Sequence, residues 1–359
     1  MEITRRVFLK TALVAGGSLL LKGYGGHEPW DAEPEDNGRP EPDPDWEPAY
    51  LKLERSGEFA PRVDEAYRHL EHCDLCPRKC GANRLQGEIG VCRAPDNVVV
   101  FSAQPHFGEE LPLVGRTGSG TIFFSNCNLR CVFCQNYPIA HEGRGRPIAD
   151  EVLADMMLAL QDRRCKNINL VTPTHVMPHI LNATRIAMEK GLRLPLCYNT
   201  GGYERAEIVE MLDGIVDIYL PDLKFMHNEE AEKYLGGAFD YPGYAQASVL
   251  EMQRQVGVLA TDESGIAKRG LMLRHLVMPN QVAGTREFVD WVAENLPKST
   301  YLNIMSQYRV EHRAFEYPKI SRSISSAEFV EAMKWAKEAG LTNLDQRSLS
   351  QFEVHQRRS

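Results

Sequence analysis

Short runs of β-branched and aliphatic residues recur from residue 120 onward, each followed by a segment whose apolar positions repeat with helical period. Gly120–Phe124, Asn167–Val171, Leu194–Tyr198, Val216–Leu220, Leu271–Met278 and Tyr301–Met305 predict strands. Asp150–Asp162, Pro178–Lys190, Arg205–Leu212, Ala247–Val256, Thr285–Asn295 and Ser326–Ala339 predict helices. Such alternation implies parallel strands joined by crossover helices. Six units fall short of a closed eight-stranded barrel, so the expected fold is α/β, a partial (β/α)6 barrel with its core over 118–342. In a barrel of this kind the chemistry gathers at the C-terminal ends of the strands. A Cys-rich extension over 51–117 precedes that core, and a tail over 343–359 follows it.

Composition changes the picture mainly at the N-terminus. With 43% hydrophobic and 25% charged residues the chain is ordinarily globular, which excludes general disorder and fibrous repeats. The formal net charge of −8 is local: nine acids and one arginine between His27 and Tyr50 account for all of it. The remainder is neutral, so charge gives no reason to expect a nucleic-acid partner. Six prolines are interleaved with those acids, and 27–50 reads as a solvated linker. Ahead of it, Arg5-Arg6-Val7-Phe8-Leu9-Lys10 and the apolar stretch Thr11–Leu21 make 1–26 resemble a twin-arginine (Tat) export signal. Eleven apolar residues cannot span a bilayer as a helix, so no transmembrane span is expected. Export to the periplasm follows, with a cytoplasmic location as the alternative.

The nine cysteines bring in the chemistry. Cys73, Cys76, Cys80 and Cys92 form a group of four thiols, enough for a tetrahedral zinc or a [4Fe–4S] cluster. Disulfides compete with both if the protein works outside the cytoplasm. The second group, Cys127-x3-Cys131-x2-Cys134, holds only three. A [4Fe–4S] cube on three cysteines leaves one iron without a protein ligand, open to the amino and carboxylate groups of S-adenosylmethionine (SAM). Reductive cleavage of the sulfonium would then give methionine and a 5′-deoxyadenosyl radical. Phe133, just before the third cysteine, stands where an aromatic could pack on the adenine. A ferredoxin-type cluster completed by Cys165 or Cys197 is the plainer alternative, although those two read most simply as buried free thiols.

The other strand ends carry groups suited to a nucleoside and an amino acid. The second offers Thr172, Thr174 and His175, the third Asn199, Thr200 and Gly201, and the fourth Asp222 and Lys224. Glycine there lets a ligand approach the backbone closely. Taken singly, Asp222 and Lys224 also read as a structural ion pair, and His175 as a satisfied structural group. His106 reads as part of a loop before the barrel and His275 as part of a strand.

Cys127-x3-Cys131-x-Phe133-Cys134 resembles the signature of the radical SAM superfamily. The blocks Asn199–Tyr203, Asp217–Lys224, Arg274–Pro279 and Asn303–Tyr308, with the Cys73–Cys92 preamble, are similar to its pyruvate formate-lyase activating enzyme-like subgroup. The resemblance implies a SAM-chelated [4Fe–4S] cluster, a low-potential electron donor and hydrogen abstraction, with a glycine of a partner protein as one acceptor. Two positions depart from activating enzymes: Thr172-Pro-Thr-His175 replaces a Gly-Gly-Glu-type motif, and Asn199 replaces an aspartate. The alternative function is an iron–sulfur electron-transfer or redox-sensing protein without SAM chemistry; a third is a structural protein folded around zinc at Cys73–Cys92.

Overall fold

The computed structural model describes residues 46–356, so the twin-arginine segment and all but the last residues of the acidic stretch lie outside the described residues. Nine strands make one mixed sheet. They are β1 (Val98–His106), β2 (Ser119–Phe124), β3 (Arg146–Ile148), β4 (Ile168–Val171), β5 (Leu196–Thr200), β6 (Ile218–Pro221), β7 (Ala260–Thr261), β8 (Ala267–Leu276) and β9 (Tyr301–Met305). Strands β2, β4, β5, β6, β8 and β9 pair in that order, all parallel. β1 lies antiparallel on the free edge of β2 and carries β3, while β7 is antiparallel to β8.

The six parallel strands are the six apolar runs, shifted by a few residues. β5 starts at Leu196, because Pro195 has no N–H to give a ladder, and it runs to Thr200. Every residue of β5 and β6 is buried, as expected of strands covered on both faces. Helices Asp150–Asp162, Met177–Glu189, Ala206–Glu210, Tyr241–Val256, Thr285–Asn295 and Ser326–Glu338 fill the crossovers and the close. The last begins with a capping box, in which the Ser325 hydroxyl accepts from Glu328 N–H and Glu328 reaches back to Ser325.

Alternation along the strands sorts the two faces. Leu196, Tyr198, Tyr219, Leu271 and Leu273 join the large core under the helices. Cys197, Ile218, Leu220, Met272 and Tyr301 form a second cluster on the opposite face, closed by Leu113 from the segment after β1. Two residues further along the same face come Asn199, Asp222, Arg274 and Asn303. That inner face therefore turns from apolar to polar halfway up the sheet.

Sequence pattern missed several elements. His106 ends β1 rather than sitting in a loop. The Cys-rich extension contributes helices Ala49–Arg55 and Phe59–Arg68, the first of which starts in the last two residues assigned to the linker, with Tyr50 fully buried. The assigned C-terminal tail contains a helix, Gln346–Gln356. Among the described residues no helix is long and apolar enough to cross a membrane.

Candidate functional site

The Cys127–Cys134 loop leaves the C-terminal end of β2, with Asn126 and Arg130 in the left-handed region. The Cys127 sulfur accepts the Leu129 N–H at 3.4 Å. Cys131 is buried, whereas Cys127 and Cys134 are partly exposed. Burial pushes the Cys131 thiol well up and the Cys134 thiol up to about 11, and the neighbouring thiols add to both. Such thiols stay protonated until a metal replaces the proton. All nine cysteines are free, so no disulfide joins either group.

The first cysteine group docks beside this loop. Arg78 Nε donates to Asn128 O (3.0 Å) and its Nη2 to Leu129 O and Leu235 O. Fully buried Arg84 donates to His175 O (2.6 Å) and Pro95 O. Burial raises the pKa of Cys73, Cys76 and Cys92, with Cys76 pushed up to about 12, and neighbouring thiols of the group add to each. Cys92 in turn feels Cys127. Gly90 lets Cys80 in, since a Cβ there would sit 2.5 Å from its sulfur. Among the described residues no three His, Cys, Asp or Glu side chains are gathered closely enough to hold a single metal ion.

The donor set nevertheless suits an anionic iron–sulfur group. Arg130 stands beside Cys127 and Cys92, and its Nη1 is buried without a hydrogen-bond partner. Burial, then the like charges of Arg93 and Arg78, lower its pKa. A negatively charged cluster on these thiols would relieve that crowding of positive charge.

Phe133 is buried, with Phe225 and Tyr308 at ring-centroid distances of 6.0 and 6.2 Å. Thr174 and Thr200 come together through Glu204, whose Oε1 accepts from both hydroxyls, at 2.5 Å from Thr174. Glu204 is wholly buried, its Oε2 has no partner, and burial lifts its pKa to about 7 against the pull of the two threonines. The sequence reading missed this carboxylate, although it directly follows Gly201-Gly202-Tyr203. Thr172 adopts a left-handed φ of 62°. His175 lies in hydrogen-bonding contact with Ser125 O at 2.8 Å through Nε2, and its Nδ1 has no partner. Burial, then Arg84, lower its pKa to about 3, so the ring is neutral.

Asn199 accepts from Arg274 at 3.4 Å. Gly201 and Gly202 let strand ends close up: a Cβ on Gly201 would meet Leu129 at 2.7 Å, and one on Gly202, whose φ is +81°, would meet Asp222 O at 2.2 Å. Asp222 and Lys224 form an ion pair. Burial opposes the lysine's charge, but Asp222, with Cys131 and Tyr241 adding to it, holds its pKa high. The Tyr241 hydroxyl accepts from Lys224 N–H (2.8 Å) and lies 3.0 Å from Gly201 O, tying the third and fourth strand ends together. The predicted strand-end residues thus share one end of the sheet with the cysteine loop.

Residues 121–244, which hold that loop and three further strand ends, match the family model described as the radical SAM superfamily. An uncharacterized protein of Methanocaldococcus jannaschii is 32% identical over 290 residues, covering 78% of each chain. The chain belongs to the radical SAM superfamily. A solved structure, TYW1 with a lysine–pyruvate adduct bound, superimposes with a TM-score of 0.40 and 11% identity over 61% of this chain and 73% of that one, too remote to carry detail. As a radical SAM enzyme the chain works with a [4Fe–4S] cluster, SAM and an electron donor.

Proposed function

We propose that Cys127, Cys131 and Cys134 hold the [4Fe–4S] cluster and leave its fourth iron to SAM, on a partial (β/α)6 barrel formed by β2, β4, β5, β6, β8 and β9. The observation that carries this is the three-thiol loop at the end of β2, beside the Arg130 guanidinium, whose buried Nη1 has no hydrogen-bond partner. When bound, the cluster supplies the electron that cleaves SAM to methionine and a 5′-deoxyadenosyl radical, which abstracts hydrogen from a substrate. Thr172, Thr174, His175, Asn199, Thr200, Gly201, Asp222 and Lys224 would hold SAM, and Phe133 its adenine. Glu204 holds the Thr174 and Thr200 hydroxyls in place. Neutral His175 offers a ring nitrogen without adding positive charge beside the sulfonium.

The resemblance of its motif blocks to activating enzymes supports a reading of the chain as a member of that subgroup, with a glycine of a partner protein as one acceptor. Cys73, Cys76, Cys80 and Cys92 hold a second metal, zinc or iron–sulfur, docked on the first site by Arg78 and Arg84. The twin-arginine segment directs export of the folded, loaded protein; fractionation finding full-length protein in the cytoplasm alone would refute this.

Anaerobically reconstituted enzyme given reductant and SAM should release 5′-deoxyadenosine, and Cys127→Ala should release none. An intact cluster whose spectrum ignores SAM, with no 5′-deoxyadenosine formed, would overturn the assignment.

A further inference from the structure

A cavity of about 290 Å³ opens where the inner face of β8 and β9 turns polar. Its floor is a buried ionic group. Glu110, 2% exposed, accepts at Oε1 from Arg274 Nε (2.6 Å) and Asn303 Nδ2 (2.7 Å) and at Oε2 from Arg274 Nη2 (2.5 Å), so both its oxygens are engaged. Glu109, 7% exposed, pairs with the same Arg274 through Oε2, and among the described residues nothing engages its Oε1. One guanidinium therefore serves two buried carboxylates.

The remaining charges do not correct the imbalance. Asp345 is taken up by the Arg347 and Ser348 N–H groups and by the Tyr301 hydroxyl. The Arg347 guanidinium donates to Gly108 O and Phe107 O rather than to a carboxylate. Three carboxylates against two guanidiniums leave the lining at −1. Buried charge without a counter-ion is costly, so the cavity favours a ligand that brings a positive charge.

The same cavity borders the cysteine loop. Gln307, on its wall, accepts through its backbone carbonyl from the Gln135 side chain at 3.3 Å, and Gln135 follows Cys134. Asn303, beside the floor, lies four residues before Gln307, about 13 Å of extended chain. A small molecule anchored by a cation at Glu109 would reach toward the cysteine loop with its other end.

We infer that this cavity is a substrate site for a small polar molecule bearing an ammonium or guanidinium group, which Glu109 anchors. The assignment rests on the radical-forming reading for its role as substrate site, while the binding itself can be measured without cluster or SAM.

The test is calorimetric titration of the full chain without cluster, comparing butylguanidine with neutral butylurea and pentylamine with pentanol, with L-arginine titrated alongside. Each cationic probe should bind with one-to-one stoichiometry at least tenfold more tightly than its neutral counterpart, and Glu109→Gln should remove that preference. Equal binding of charged and neutral probes, or a preference that survives Glu109→Gln, overturns the inference. The comparison on the unaltered chain stays decisive should the variant not fold. A blocked Gly-Arg-Gly peptide binding where free L-arginine does not would overturn the small-molecule assignment in favour of a polypeptide side chain. Absence of 5′-deoxyadenosine in the reconstituted enzyme would refute the radical chemistry and leave the titration result standing.

Discussion

Asp217 shows burial outweighing hydrogen bonding in setting a charge. It accepts from Ala49 N–H at 2.9 Å and Leu196 N–H at 3.1 Å, yet desolvation lifts its pKa to about 7 from an ordinary 3.8. A carboxyl with a raised folded pKa keeps its proton in the fold after the unfolded chain has released it. Its stabilising effect is thus complete below about pH 4 and is lost as the pH rises toward 7, by at most about 4 kcal/mol. Asp217→Asn cannot titrate. Its stability relative to the unaltered chain, from urea denaturation without metal, should improve steadily between pH 4 and pH 7; a constant difference would contradict the assignment. The cysteine triplet was legible because its spacing is local, within eight residues. Glu204 and Glu109 were not, because their meaning lies in Thr174 and in Arg274, 30 and 165 residues away.

The Cys-rich extension is joined to the strand ends chiefly by arginines meeting backbone carbonyls. Arg84 is the sharpest case, a fully buried guanidinium spent on His175 O and Pro95 O. Arg84→Met keeps much of the volume and leaves those carbonyls without a donor. It should cost about 3 kcal/mol in urea denaturation; an effect within about 0.5 kcal/mol would mean that the docking is incidental. Sequence pattern located the extension but not its docking, since nothing in the spacing of Arg78 and Arg84 says which loops they will meet. It also missed β1, whose burial along Ser102–His106 does not alternate cleanly.

Across the molecule, the C-terminal helix joins regions far apart in the sheet. Ser348 donates to Asn303 Oδ1 and Ile304 O on β9, while Arg347 reaches the loop after β1. Phe352, 6% exposed, packs into the main core with the Lys337 ammonium 4.1 Å from its ring centroid. Phe352→Ala should cost about 3 kcal/mol, read as a lowered Tm. An unchanged Tm would mean that the helix adds nothing to the stability of the fold.

Periodicity and spacing are properties of neighbouring positions along one chain, and they were enough to specify the six parallel strands, their crossover helices and the three-cysteine loop. Which polar groups share a buried space was decided only by tertiary structure. Charge balance and pKa follow separation and solvent exclusion in three dimensions, so two adjacent glutamates at 109–110 acquire their partner, their cavity and their excess of negative charge only when Arg274 folds over them.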